Sequence, residues 1–487
     1  MNFRKNNGIT FMKLLIVILI IMFVIAVISF GMNNNSKKIY FNVPASWDEV
    51  YAYISDESTG EFPGVKLTNV EDYIYSLSVT NSMLDGKNIN DLEVTFNNGV
   101  SKDHGMTEGK EYSLTVTCEG YNKIYNLESG IGGYTKSVGE WVDYDKNLSF
   151  GKIPTTNKKI KNVIYMIGDG MGENHIKAGA IYKGEQLNIQ KIKNVSDVKT
   201  ASISTVTDSA AGATALFAGK KAVNYTVGLD KNGDNAENLM EYTHNTLGMK
   251  SGFVCTEILC HATPASFSVH NVYRYNYNQI APDQIRSCAD VMLGGGRMYF
   301  APYQNEMNEN GWKWVNDFSE MQNVNSSDKV IGTFAEGTIG LGEEPNRTSL
   351  ALLTQKGIEQ LENEDGFLLM VEGSDIDMAC HNVDMDNMLI EMIDFDDAVE
   401  VAMKYVDNHE DTLLVITADH ETGGVNLDGV NSKSELTNAL FKNPGGHTET
   451  DVKVFAYGKG AEDLTKYDVI DNTSIYKFIK QELENCR

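Results

Sequence analysis

Positive charge is scarce in this chain of 487 residues: 41 lysines and arginines stand against 67 aspartates and glutamates, a formal charge of −26 at pH 7. That balance repels nucleic acid and anionic membrane surfaces, so a nucleic-acid scaffold is excluded as a reading. Cysteine is scarce as well. The six positions, Cys118, Cys255, Cys260, Cys288, Cys380 and Cys486, lack the paired spacing of a zinc ribbon and define no disulfide framework. Long apolar runs are absent with one exception, Leu14 to Ile28, which extends with small interruptions to Met32 and is nearly a bilayer's thickness of helix. Arg4, Lys5 and Lys13 precede it, and no small-x-small cleavage pattern follows. The expectation is an uncleaved single-pass anchor in the cell membrane, with residues 1–38 as cytoplasmic leader, transmembrane helix and linker and the rest extracellular.

The stretch around Gly8, KNNG followed by ITFMKLLIV, resembles the basic leader and N-terminal helix of type IV pilin-like proteins. That resemblance implies processing after Gly8 as the alternative; Lys13 stands where the family carries glutamate.

Apolar residues make up 42% of the chain, enough for a sizeable core, and the length suits about three domains. Residues 39–145 alternate apolar and polar positions in short runs, at Ile39, Val50, Asp72 and Leu92, which predicts a β-sandwich. Ile39 to Asn42, Trp47 to Tyr53, Phe62 to Thr68 and Thr95 to Gly99 resemble the starch-binding modules of family 26. The resemblance implies α-glucan as a partner, with Tyr51, Tyr53 and Phe62 as glycan-binding residues; Phe62 stands where that family often carries tryptophan. Tyr51 and Tyr53 lie two apart, so on a strand they share one face and can present flat rings to a sugar.

After a linker at 146–160 the periodicity changes. Residues 161–487 read as strands of the buried parallel type followed by helices. One strand from Asn162 ends in GDGMG, which brings Asp169 out at its carboxyl end; a second, from Phe367, runs into Glu372 and Asp377, with His381 one helical turn on; a third, from Thr412, runs into Asp419 and His420. Sites in open α/β sheets form outside these strand ends, so three strands deliver acids and imidazoles to one edge. His447 lies further on in GGHT. Carboxylate oxygens with imidazole nitrogens are the donor set of zinc, and the extra oxygens suit magnesium. In Thr205 to Gly219, TVTDSAAGATALFAG, Ser209 is the candidate nucleophile: alanines favour a helix starting beside it, and small residues leave room for a large anion.

These motifs together, with TDSAAGATA from Thr207, HATP from His261, GGGR from Gly294, VEGSDID from Val371, TADHETGG from Thr417, His447-Thr448 and FAYG from Phe455, resemble the alkaline phosphatases. The resemblance implies a three-layer α/β/α sandwich with a central, mostly parallel sheet, preceded here by the anchor and the β-sandwich. It further implies hydrolysis of phosphate monoesters through a phosphoserine on Ser209, two Zn2+ and one Mg2+. By it, Asp377, His381 and His447 hold one zinc, Asp169, Asp419 and His420 the other, and Asp169, Thr263 and Glu372 the magnesium. Arg274 grips phosphate, His261 and Met378 stand near the third metal or the phosphate, and a homodimer is left open. Two readings compete: a phosphodiesterase or sulfatase sharing the ligands, against which the serine argues, and a glycan-binding or pilin-like surface protein with an inactive enzyme domain, against which the intact ligand set argues.

Overall fold

The computed structural model describes residues 38–42, 50–54, 63–71, 74–97, 106–107, 110–111, 113–119, 123–127, 139–143, 160–204, 206–340 and 347–484. The apolar run expected to anchor the chain, the expected processing point at Gly8, Phe62 and Cys486 lie outside these residues. Among the described residues no helix is long and apolar enough to cross a membrane. The chain divides into two compact units, Met1–Glu128 with Tyr134–Ser149, and Ser129–Gly133 with Phe150–Arg487.

In the first unit two sheets share one core. One sheet runs in the order 139–143, 123–127, 38–42, 74–78, 68–71, and the other 65–66, 51–53, 93–97, 113–117. Phe41 of one sheet stacks on Phe96 of the other, with ring centres 4.0 Å apart and planes within 4°. Ile39, Val50, Leu77 and Val94 are buried around them. Ala52 pairs with Phe96 and faces this core, so Tyr51 and Tyr53, one residue either side, stand half-buried on the other face of their strand.

The second unit is built on one ten-stranded sheet. Its strands are β1 (Asn162–Gly168), β2 (Asn194–Lys199), β3 (Lys250–Ile258), β4 (Val291–Gly295), β5 (Trp312–Val315), β6 (Lys329–Thr333), β7 (Phe367–Gly373), β8 (Thr412–Thr417), β9 (Val452–Gly458) and β10 (Val469–Asp471). They lie in the order β5-β6-β4-β3-β7-β1-β8-β9-β2-β10. Every pairing is parallel except the two made by β9. β1 and β7 are buried along their whole length, which is why NVIYMIG and FLLMVEG read as continuous rather than alternating apolar runs.

Helices cover both faces, and β3 shows how. Phe253 meets Phe267 of α3 (Ala262–Ser268) edge-on at 6.1 Å, and Phe267 meets Phe217 of α2 (Ser209–Ala218) at 5.1 Å. The next residue, Val254, points the opposite way into α4 (Leu350–Leu361), which passes so close that a Cβ on Gly357 would sit 3.1 Å from it. α1 (Glu173–Lys183), α5 (Asp375–His381) and the long α6 (Met385–Asn408) complete the layer around α4.

One buried acid ties that layer together. Asp396 of α6 accepts hydrogen bonds from the backbone N–H groups of Asn188 and Ile189 (3.0 Å each), the Asn188 amide (3.0 Å) and Lys183 Nζ (3.3 Å). Replacing it strands two buried N–H donors, so Asp396→Ala is expected to destabilise this unit by about 3 kcal/mol. The shift of the urea unfolding midpoint measures it, and a wild-type midpoint would refute the account.

Candidate active site

The site lies where β1, β7 and β8 end side by side. Asp169 follows β1, Glu372 is the penultimate residue of β7, and Asp419 and His420 follow β8. α5 begins two residues after β7 and carries Asp377 and His381 on adjacent turns. His447 arrives on a two-residue strand, His447–Thr448, paired with Glu421–Thr422. The turn after β1 must pass tightly between these groups. Gly170 adopts φ +72°, its N–H donates to Asp419 Oδ1 at 3.2 Å, and a Cβ there would lie 2.8 Å from Thr422 Oγ1 and 2.9 Å from Asp377 Oδ1.

Two clusters of donor atoms result, each within 4.8 Å: Asp377 with His381 and His447, and Asp169 with Asp419 and His420. The imidazole orientations are fixed from behind. Nδ1 of His381 bonds the Gly445 carbonyl (2.9 Å), Nδ1 of His447 the Thr207 carbonyl (2.8 Å), and Nδ1 of His420 meets Thr422 Oγ1 (3.2 Å), whose proton goes to Asp377. A carbonyl accepts only, so His381 and His447 donate from Nδ1 and each turns its Nε2 toward the donor cluster. Nε2 of His381 is 3.1 Å from Nε2 of His447 and 3.1 Å from Asp377 Oδ2, and Nε2 of His420 is 3.2 Å from Asp419 Oδ2. The Asp377 carboxylate raises His381, so a proton on its Nε2 bridges the two groups, and that is the place a divalent cation takes when bound.

The surrounding oxygens carry the same message. Asp169 Oδ1, Asp419 Oδ2, both Glu372 oxygens and Thr263 Oγ1, in the first turn of α3, are buried without a hydrogen-bond partner. Burial, followed by repulsion from Asp419, Asp377 and Glu372, holds Asp169 well above the usual carboxylate range. Burial likewise pushes Glu372 up to about 8 and, with Asp377 beside it, Asp419 up to about 7. For Asp377 burial acts the same way, but the hydrogen bond to His381 and the neighbouring imidazoles outweigh it and hold the group low. Burial keeps His420 neutral. A neutral His420, crowded carboxylates and orphaned oxygens fit divalent cations.

Ser209 opens α2, so its hydroxyl sits at the positive end of a ten-residue helix. Asp208 caps that helix, accepting from Ala211 N–H at 3.0 Å, and Ser209 Oγ lies 3.3 Å from His420 Nε2. Arg274 reaches the same place: its NH1 donates to Asp208 Oδ2 at 2.9 Å, NH2 lies 3.4 Å from His261 Nε2, and Nε is buried with no partner. The guanidinium thus keeps a donor for an anion. His261 caps α3; burial and the Arg274 charge push it down to about 3, so it is neutral. Met378 follows Asp377 on α5 and is half-buried. The structure therefore gathers Ser209, Arg274, His261 and every candidate ligand into one place in the second unit, while Tyr51 and Tyr53 belong to the first. Two contributors had no assigned role in the sequence reading. Asp208 both caps the serine's helix and aims Arg274, and Thr422 bridges the two donor clusters; the Asp beside the serine and the Thr in HETGG were the only signals for them.

An anion held by Arg274 beside Ser209, over paired cation sites, describes phosphate more closely than any neutral substrate. Comparison with known proteins agrees. The family model described as alkaline phosphatase matches residues 160–443. Alkaline phosphatase 4 of Bacillus subtilis is 34% identical over 340 residues, which cover 65% of this chain and 73% of that one. Alkaline phosphatase of Escherichia coli is 29% identical over 381 residues, covering 64% and 80%. The solved structure of alkaline phosphatase from the Antarctic bacterium TAB5 matches with a TM-score of 0.61 at 30% identity, covering 68% of this chain and 98% of that one. Two histidine mutants of that enzyme were solved with Mg bound in the M3 site. On these matches, this chain belongs to the alkaline phosphatase family and is an enzyme that hydrolyses phosphate monoesters.

Proposed function

We propose that hydrolysis proceeds through a phosphoserine on Ser209. The observation that carries this reading is the serine's place: first residue of a helix, 3.3 Å from a neutral His420 and beside the Asp208-anchored Arg274. Arg274 binds two phosphate oxygens and orients phosphorus toward Ser209 Oγ. The Ser209 oxygen attacks as its proton passes to solvent, the phosphorus–ester oxygen bond breaks on the opposite side, and the alcohol leaves with a proton from solvent. Water then attacks phosphorus on the first alcohol's side, giving a proton to solvent, the bond to Ser209 breaks as its oxygen takes a proton from solvent, and inorganic phosphate departs. Asp377, His381 and His447 would hold one zinc, Asp169, Asp419 and His420 a second, and Asp169, Thr263 and Glu372 a magnesium. Such ions supply the acidity that makes serine and water nucleophilic near neutral pH and offset the charge of the phosphoryl group. His261 lies near the third position, facing Arg274. Acid quenching during turnover of a labelled ester should leave label on the peptide containing Ser209; label on no peptide would defeat the covalent route.

For the first unit the reading is a starch-binding-module-like β-sandwich of residues 39–145 that takes α-glucan on the Tyr51 and Tyr53 face. The support is that face's position away from the core. Full-length protein should be retained on insoluble starch, and Tyr51→Ala with Tyr53→Ala should release it, each ring contributing on the order of 1 kcal/mol. Retention unchanged in the double variant would remove the tyrosines from the account. The apolar run from Leu14 is read as the membrane anchor, with processing after Gly8 as the alternative.

A further inference from the structure

A strip of exposed aromatic surface begins at the phosphate clamp. Tyr225, Tyr273 and Tyr275 are 50%, 46% and 48% exposed, and Val272 beside them is 72% exposed. Their rings form a chain: Tyr225 to Tyr275 at 6.4 Å, Tyr273 to Tyr275 at 5.3 Å, Tyr275 to the half-buried Tyr277 at 6.1 Å. The strip is built into the clamp by both backbone and side chain. The Arg274 guanidinium carbon lies 5.4 Å from the centre of the Tyr275 ring. Arg274 N–H donates to the Tyr225 carbonyl at 2.8 Å, and Tyr225 N–H donates to Asp208 Oδ2 at 3.1 Å. Tyr225 also holds φ at +70°, a left-handed backbone that favours glycine and that a bulky residue adopts only where the surroundings impose it. Glycine in its place would relax the backbone and keep both hydrogen bonds, so the feature that distinguishes tyrosine here is its outward-facing ring.

We propose that Tyr225, Tyr273 and Tyr275 form a subsite for the leaving alcohol, and that it selects phosphate monoesters whose alcohol carries a flat aromatic ring. The proposal rests on the phosphatase reading and names its substrate class. Attack by Ser209 displaces the alcohol on the far side of phosphorus, while Arg274 fixes the phosphate oxygens, so the alcohol lies beside the clamp with the strip next to it. Rings with open π faces stack any planar partner without reading its hydrogen-bonding edge. A nucleobase and an arylalkyl group both satisfy that chemistry.

Two matched pairs of esters test it on the full-length, metal-loaded enzyme. Adenosine 5′-phosphate and ribose 5-phosphate share the same primary ester and differ in the base; benzyl and cyclohexylmethyl phosphate differ in the flatness of the ring. The aromatic member of at least one pair should show kcat/KM higher by about ten-fold, carried mainly by KM. Which pair responds separates nucleotide from arylalkyl ester. Tyr275→Leu and Tyr273→Ser should each bring that ratio toward one, and taking the ratio within each variant cancels any shift of Arg274. Equal kcat/KM within both pairs for the wild-type enzyme overturns the proposal, as does a ratio unchanged in both variants. Failure to hydrolyse any of the four esters would instead strike the phosphatase reading itself.

Discussion

Ser209→Ala is expected to lower kcat for a simple phosphate monoester by at least about a thousand-fold, the scale on which removing a nucleophile acts when the rest of a site survives. The rest does survive on structural grounds. Ser209 makes one side-chain hydrogen bond, at 3.3 Å to His420, whereas the helix it opens is capped by Asp208, and each imidazole is oriented by a group other than the serine. Alanine is also the better helix former at that position. The variant should therefore keep its bound metal, measured by elemental analysis after gel filtration, and its affinity for inorganic phosphate through Arg274. A variant that retained both, and still turned over within a few-fold of the parent, would show that water attacks phosphorus directly and that the serine is a spectator.

Removing the metals is expected to abolish activity and, separately, to make the protein's stability fall with rising pH. The second effect follows from the carboxylates. In the metal-free site burial pushes Glu372 up from its ordinary 4.5 to about 8 and Asp419 up from 3.8 to about 7. Below about pH 6.5 the low-lying His261 and His420 oppose this, but above it they are neutral folded and unfolded alike, so the folded state holds the extra protons and the stability of chelated protein falls as pH rises from about 6.5 toward 8. Cations take the place of those protons when bound, so loading releases protons and strengthens over the same range. The measurement is a set of thermal unfolding curves from pH 6.5 to 8.5, with and without chelator. The metal-loaded protein should hold its Tm while the chelated protein loses about 5–10 °C, and zinc with magnesium should restore both Tm and turnover. Chelated enzyme with unchanged activity would mean that the donor clusters serve structure alone.

What the chain disclosed before folding was what depends on local pattern. A continuous apolar run followed by an acid marks a buried parallel strand and its business end, which is how Asp169, Glu372 and Asp419 could be placed at one edge. The run of small residues after Ser209 announced α2 for the same reason. Other features are set by distance in space and leave no trace in spacing. Asp208 looks like an ordinary helix cap until Arg274, 66 residues later, is seen to donate to it. Thr422 is one threonine among many until the fold lays it between His420 and Asp377. Tyr225 carries no mark of its left-handed backbone, because tyrosine is not a residue from which φ above zero is ever inferred. The reversal of β9 was equally invisible, since Val452–Gly458 alternates enough to pair either way and its neighbours decide the direction.

That reversed strand also orders the assembly of the enzyme in time. β9 pairs with β8 on one side and with β2, made some 250 residues earlier, on the other: Val198 sits opposite Val452. Until β9 is synthesised, β2 has no neighbour on that side, and β10, which lies beyond β2, is later still. His447 precedes β9 by a few residues and leaves the ribosome with it. A growing chain can therefore bring β1, β7 and β8 together and crowd Asp169, Glu372, Asp377 and Asp419 into one place while one imidazole and the sheet's closing strands are still missing. Pairings so distant in sequence also make for slow folding. The cluster of Asp377, His381 and His447 is thus the last of the donor groups to be completed, at the end of translation.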